Sequence, residues 1–151
     1  LDRETANIYP PATKTVTFTV TVNGVQGNSG VTWRSGNTKV ATVSNGKVTA
    51  VGKGTATITA KANGKLAKAK VTVKDPYANV SPTSGTIKVG KTLQLTTNYA
   101  PASTGTPSYS SSNKKVATVD SKGVVKGVKA GTATITVKVN GVTAKAEITV
   151  K

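Results

Sequence analysis

Six residues, Gly-Thr-Ala-Thr-Ile-Thr, stand at positions 54–59 of this 151-residue chain and again at 131–136. The identity is not confined to the hexapeptide. KVATVSNGKVTAVGKGTATITAKANG (39–64) aligns with KVATVDSKGVVKGVKAGTATITVKVNG (115–141) after one residue is inserted in the second copy's turn. The match continues upstream, with VTWRSGN (31–37) over PSYSSSN (107–113), and downstream, with AKAKVTVK (67–74) over AKAEITVK (144–151). A tandem duplication constrains the fold more than any single motif, because each copy, at domain size, must bury its own apolar residues. The boundaries that follow are domain 1 over 1–74, a linker over 75–78 with Pro76, and domain 2 over 79–151.

Within each copy the apolar residues alternate with polar ones, the period of a half-buried strand. TVTFTVTV (15–22) puts Val16, Phe18, Val20 and Val22 on one face and four Thr on the other, and is expected to form one strand. LAKAKVTVK (66–74) turns Ala67, Ala69, Val71 and Val73 inward and Lys68, Lys70, Thr72 and Lys74 outward. Asn-Gly pairs at 23–24, 45–46 and 63–64 punctuate the strands as tight hairpin turns. KTLQLTTNY (91–99), SYSSS (108–112), KVATV (115–119), GVVKGV (123–128), GTATITVKV (131–139) and GVTAKAEITVK (141–151) repeat the scheme. The expected fold class is all-β, two tandem sandwiches of small side chains, with Trp33 in the first core and Tyr109 in its place in the second.

The order Trp, Ser/Gly/Asn loop, Val-Ala-Thr-Val, Asn-Gly or Lys-Gly turn, Val-Gly-Lys-Gly-Thr-Ala-Thr-Ile-Thr and closing Val-Thr-Val resembles the bacterial immunoglobulin-like group 2 domain, nearly end to end in both copies. Tyr109 departs from the Trp usual at that position. The resemblance implies immunoglobulin-like Greek-key β-sandwiches without the antibody disulfide. Domains similar to these occur in bacterial adhesins, cell-wall and surface-layer proteins, secreted glycan-degrading enzymes and phage virions, as spacers and display or binding modules. The family offers no shared ligand site to carry over.

Chemistry is poorly provided for. His and Cys are absent, so the usual nucleophile–base pairs are unavailable, and a Ser–Lys pair would need a desolvated Lys where the pattern puts Lys outward. The five acids, Asp2, Glu4, Asp75, Asp120 and Glu147, are scattered, and Asp75 before Pro76 reads as a turn and not as a calcium ligand set. Gly-Lys-Gly-Thr at 52–55 lacks phosphate-loop spacing and opens a strand. No enzyme, metal or cofactor is expected.

Twenty-one basic residues against five acidic ones give a net charge of +16, carried by both copies. All but Arg3 and Arg34 of the basic residues are Lys, a hydrated point charge that attracts polyanions without reading a sequence. The expected partners are other virion or cell-envelope proteins and anionic cell-surface polysaccharide, with no specific nucleic acid and no membrane insertion. The expected role is a non-enzymatic surface display or attachment module outside the cell. A phage virion protein (decoration, capsid or tail) is preferred, and a fragment of a bacterial adhesin or wall protein, or a carbohydrate-binding accessory of a secreted hydrolase, is the alternative. Candidate contact residues are Tyr77, Tyr99, Lys114 and Lys115. Trp33 reads as core and not as a sugar-stacking platform.

Overall fold

The computed structural model describes residues 1–11, 13–102 and 105–151. The described residues form strands and turns, and the chain divides into two compact units, Leu1–Asp75 and Pro76–Lys151. Tyr77 and Ala78, assigned above to the linker, are the opening residues of a strand in the second unit.

The first unit contains β1 (Thr5–Ile8), β2 (Thr15–Thr17), β3 (Val20–Val22), β4 (Val25–Gly27), β5 (Thr32–Ser35), β6 (Ala41–Ser44), β7 (Lys47–Ala50), β8 (Gly54–Ala62) and β9 (Lys65–Val73). One sheet has the order β1-β9-β8-β5, a second β2-β7-β6, and β3 pairs with β4. The β8–β9 hairpin sets the register: Ile58 lies opposite Ala69 and Ala56 opposite Val71, all buried, while Thr59 faces Lys68 and Thr57 faces Lys70 on the outside. The repeated hexapeptide is therefore a register mark, with Ala56 and Ile58 in the core. From the facing sheet come Ala41 and Val48, and from the link between β2 and β3 comes Phe18, each fully buried.

The second unit has β10 (Tyr77–Ser81), β11 (Ser84–Ile87), β12 (Thr92–Gln94), β13 (Thr96–Ala100), β14 (Ser108–Ser111), β15 (Ala117–Val119), β16 (Val124–Gly127), β17 (Gly131–Val139) and β18 (Val142–Val150). Its sheets repeat the first unit's orders as β11-β18-β17-β14 and β12-β16-β15, and β10 pairs antiparallel with β13. Ile135, Ile148, Val125 and Leu95 anchor its core.

The strand expected over 15–22 is two strands. Phe18 N–H still donates to Gly46 O, but the β6–β7 hairpin ends at Asn45-Gly46. Beyond it β7 offers no partner, and the chain continues as β3 against β4. The expected strand over 91–99 divides at Leu95 for the same reason, its N–H donating to Gly123 O in the equivalent turn. Alternation survives both breaks, so Phe18 and Leu95 stay inside. At the Asn45-Gly46 turn both residues have positive φ, 47° and 81°, the type I′ geometry that matches strand twist. A Cβ on Gly46 would stand 2.5 Å from Phe18 O, so the close approach as well as the φ requires glycine.

Strands β1, β10 and β11 were not expected, nor was the three-residue β4 after the Asn23-Gly24 turn. β1 and β11 are four-residue strands that run parallel to the last strand of each unit, bringing Ile8 beside Val73 and Ile87 beside Val150. Such short segments, followed or preceded by Pro, carry too few alternations to register as strands.

Candidate interaction surfaces

The described residues include no buried charged side chain, so every described Lys and Arg reaches the surface. No three His, Cys, Asp or Glu side chains converge among them into a metal-binding group. No described helix is long and apolar enough to cross a membrane. Three of the five acids are engaged locally. Asp120 Oδ1 accepts from the N–H groups of Lys122 (2.8 Å) and Val124 (2.9 Å), fixing the β15–β16 turn. Asp75 pairs with Lys53. Asp2 Oδ1 accepts from Thr19 N–H at 2.9 Å and its Oδ2 pairs with Arg3 at 2.9 Å. Partial desolvation works against the charged Asp2, but the Thr19 N–H and the Arg3 guanidinium outweigh it and hold the carboxyl below the usual carboxylate range.

The four candidate contact residues do not form one site. Tyr77 is 43% exposed on β10, opposite Ala100, whereas Tyr99 on β13 lies opposite Ala78. Neighbouring register positions point to opposite faces, so the two rings diverge. Tyr99 is half-buried, on the face that carries buried Val80. Lys114 and Lys115 lie in the β14–β15 loop, both exposed. That loop is pinned from within: Ser111 Oγ donates to Ala117 O at 2.6 Å, and Asn113 Oδ1 accepts from Lys115 N–H at 3.1 Å. Ser35, Asn37 and Lys39 repeat the arrangement in the first unit, which identifies it as loop scaffolding.

Trp33 packs half-buried against the first core, on the β5 strand. Its Nε1 is enclosed without a hydrogen-bond partner, as is Asn28 Oδ1. The Tyr109 hydroxyl is instead 2.9 Å from Thr97 Oγ1. Leu95 and Phe18 make the same backbone bond in the two units, so Thr97 corresponds to Val20, which offers no oxygen to the indole. The edge of Trp33 and Leu66, 62% exposed, floor a shallow groove on the outer sheet, bordered by Arg34 and Lys61. Sequence reasoning placed Trp33 in the core and missed Leu66 and Arg34, whose proximity depends on the β5–β8–β9 register.

A second depression, about 280 Å³, lies beside β3 and is lined by Leu1, Val20, Val22, Ala60, Leu66 and Ala67 among others. In the second unit β10 lies along β13, with Val80 in the core. In the first, Asp2 bonds the corresponding edge, its N–H donating to Thr19 O at 2.9 Å.

These two sandwiches, duplicated in sequence and in sheet order, define a tandem β-sandwich module. Both halves match the bacterial Ig-like domain (group 2) family, over residues 5–73 and 77–150, and the chain belongs to that family. Among curated proteins it is 56% identical over 52 residues to a 3-O-α-D-galactosyl-α-L-arabinofuranosidase of Bifidobacterium longum subsp. longum, covering 33% of this chain and 5% of that enzyme. It is 36% identical over 136 residues to an uncharacterised protein of Clostridium acetobutylicum, covering 85% of this chain and 14% of that protein. The chain thus spans a small part of either relative. Among solved structures, the S-layer protein rSbsC(31-844) aligns with a TM-score of 0.47 and 25% identity over 86% of this chain and 21% of that one.

Proposed function

We propose that this chain is a non-catalytic immunoglobulin-like module that works outside the cell, holding or presenting neighbouring parts of a larger surface assembly and contacting anionic surface polymers through its sheet faces. The observation that carries this reading is the placement of charge: a net +16 is displayed at the surface of thin sandwiches whose cores hold no charged group among the described residues. Charge of one sign on rigid β surfaces raises the local concentration of polyanions and speeds encounter without demanding a shaped pocket.

Of the settings considered, a bacterial envelope or secreted protein has more support than a virion, because the high-identity relative is a bacterial glycoside hydrolase in which the matching stretch is a small share of the chain. The same match favours a second reading, an accessory module of a secreted hydrolase that contacts neutral glycan. Sedimentation with purified anionic and neutral cell-wall polysaccharides at graded salt separates the two. Binding confined to anionic polymer and weakened as salt rises is the expected result. Salt-insensitive binding to neutral glycan, lost in Tyr77→Ala or Tyr99→Ala, would establish the second reading instead.

A further inference from the structure

We propose that the outward face of β5, β8 and β9 in the first unit is a docking surface for a linear anionic glycan, and that the equivalent face of the second unit is not. This rests on the polyanion-contact reading above and deepens it, by assigning the contact to one face and its ligand to one class.

The argument comes from comparing two copies of one sheet. In the first unit the outward positions of the four-stranded sheet carry Arg34, Lys61, Lys68 and Lys70, all exposed, with Thr and Asn among them and no carboxylate. In the second unit, Lys61 and Lys68 are matched by Lys138 and Lys145. Arg34 is replaced by Ser110 and Lys70 by Glu147. The first face therefore carries a formal +4 and the second, with two cations and one carboxylate, +1. Among the described residues the ion pairs are Arg3–Asp2 and Lys53–Asp75, so none of the four cations of the first face is neutralised by a neighbour.

The register turns this charge into a pattern. Arg34, Thr59 and Lys68 lie side by side across three strands, and Thr57, Lys70 and Thr5 form the next outward row. Strands are about 4.8 Å apart and outward residues on one strand about 6.7 Å apart, so the cations recur at intervals of roughly 7–10 Å with hydroxyls between them. A linear chain of acidic sugar rings, each ring shorter than this interval, turns a carboxylate or phosphate to one side at about every second unit, with hydroxyls between. At one end Leu66 and the Trp33 edge offer an apolar floor between Arg34 and Lys61. The apolar face of a sugar ring fits there, with its acidic substituent directed to the Arg34 guanidinium, whose planar fork suits a carboxylate or phosphate. A nucleic acid is less well matched, because the face has one Arg and no freely exposed aromatic ring on which a base could stack.

Wild-type protein, the double variant R34S/K70E and the reciprocal S110R/E147K are titrated with polygalacturonate, with neutral dextran and with a 20-base-pair DNA duplex as comparison polymers, at several salt concentrations. Each substitution installs the residue that the other copy carries at that position, and circular dichroism with the Trp33 fluorescence transition verifies folding. R34S/K70E is expected to bind polygalacturonate about tenfold more weakly and to flatten the log–log salt slope by about two, as two contacts are lost. S110R/E147K is expected to bind more tightly than wild type, which keeps the test alive should R34S/K70E fold poorly. Unchanged affinity in both variants, with wild-type binding intact, would overturn the assignment to this face. Tighter binding of the duplex than of polygalacturonate at equal charge concentration and near-physiological salt would overturn the ligand class. Absence of wild-type binding to any polyanion at low salt would refute the underlying reading itself.

Discussion

Phe18 and Leu95 occupy the same place in the two cores, fully buried and each holding the backbone bond beside the glycine turn. Exchanging them tests how closely each core is fitted to its own residue. Phe18→Leu removes three ring carbons, about 2.4 kcal/mol at roughly 0.8 kcal/mol per carbon, and the cavity left offsets any gain from local collapse. It also ends the stacking of the Arg3 guanidinium, 5.8 Å from the ring centroid, worth about 0.5 kcal/mol at this exposed position. A loss of about 2–3 kcal/mol in a unit of this size lowers its midpoint by about 8–24 °C. Leu95→Phe adds the same carbons to a filled core and costs about 1–3 kcal/mol through overpacking. The assay is built into the chain: Trp33 is its only tryptophan and packs against the first core, so its fluorescence reports the first unit, while far-ultraviolet circular dichroism follows both. Phe18→Leu should shift the fluorescence transition and Leu95→Phe only a part of the dichroism transition. A fluorescence midpoint unmoved by Phe18→Leu would refute the packing argument, and one moved equally by Leu95→Phe would refute independent unfolding of the units.

Asn28 Nδ2 donates to Phe18 O at 2.8 Å and Asn45 O at 3.2 Å, and Gln94 Nε2 serves the equivalent carbonyls of Leu95 and Lys122 at 2.7 and 2.9 Å. Asn28→Ala is expected to cost about 1–2 kcal/mol in urea unfolding, and Gln94→Ala, at an exposed position, under about 1 kcal/mol. Asp2 gives the first unit an acid-sensitive contact at the edge where the second unit has Ser81 beside β13. Because its folded-state carboxyl titrates below the ordinary value of about 3.9, its contribution is complete above that pH and is lost as pH falls through the folded-state value. The Trp33 transition measured between pH 6 and pH 2 should fall more steeply in wild type than in Asp2→Asn, and parallel curves would contradict this.

What the residue pattern made legible was whatever repeats over several positions. Ala56, Ile58, Ala69, Val71 and Val73 alternate through two nine-residue strands, and their inward direction follows from the pattern alone. The breaks at Phe18 and Leu95 were hidden because alternation persists through them; what changes is the hydrogen-bonding partner, which depends on where a different hairpin ends. The outer face was obscure for a related reason. Arg34, Lys61, Lys68 and Leu66 are far apart in sequence, and only the registers Arg34 to Thr59, Thr59 to Lys68 and Lys61 to Leu66 make them neighbours.

Duplication then supplies an internal comparison that a single domain would not. Inward positions of the β8–β9 and β17–β18 hairpins keep Ala56 and Ala133, Ile58 and Ile135, and Val73 and Val150, and where they differ, Ala60 against Val137 and Val71 against Ile148, they stay apolar, since a close-packed core admits only hydrophobic exchange with repacking. Outward positions face no such constraint, because a surface exchange away from caps and networks changes stability little. Replacement of Arg34 by Ser110 and of Lys70 by Glu147 is therefore affordable in either direction as far as folding goes, and the fold alone does not require the first face to be cationic. The difference between the faces is consequently where the two copies are free to diverge in what they touch, and exchanging those two residue pairs separates binding from stability in a way that core substitutions cannot.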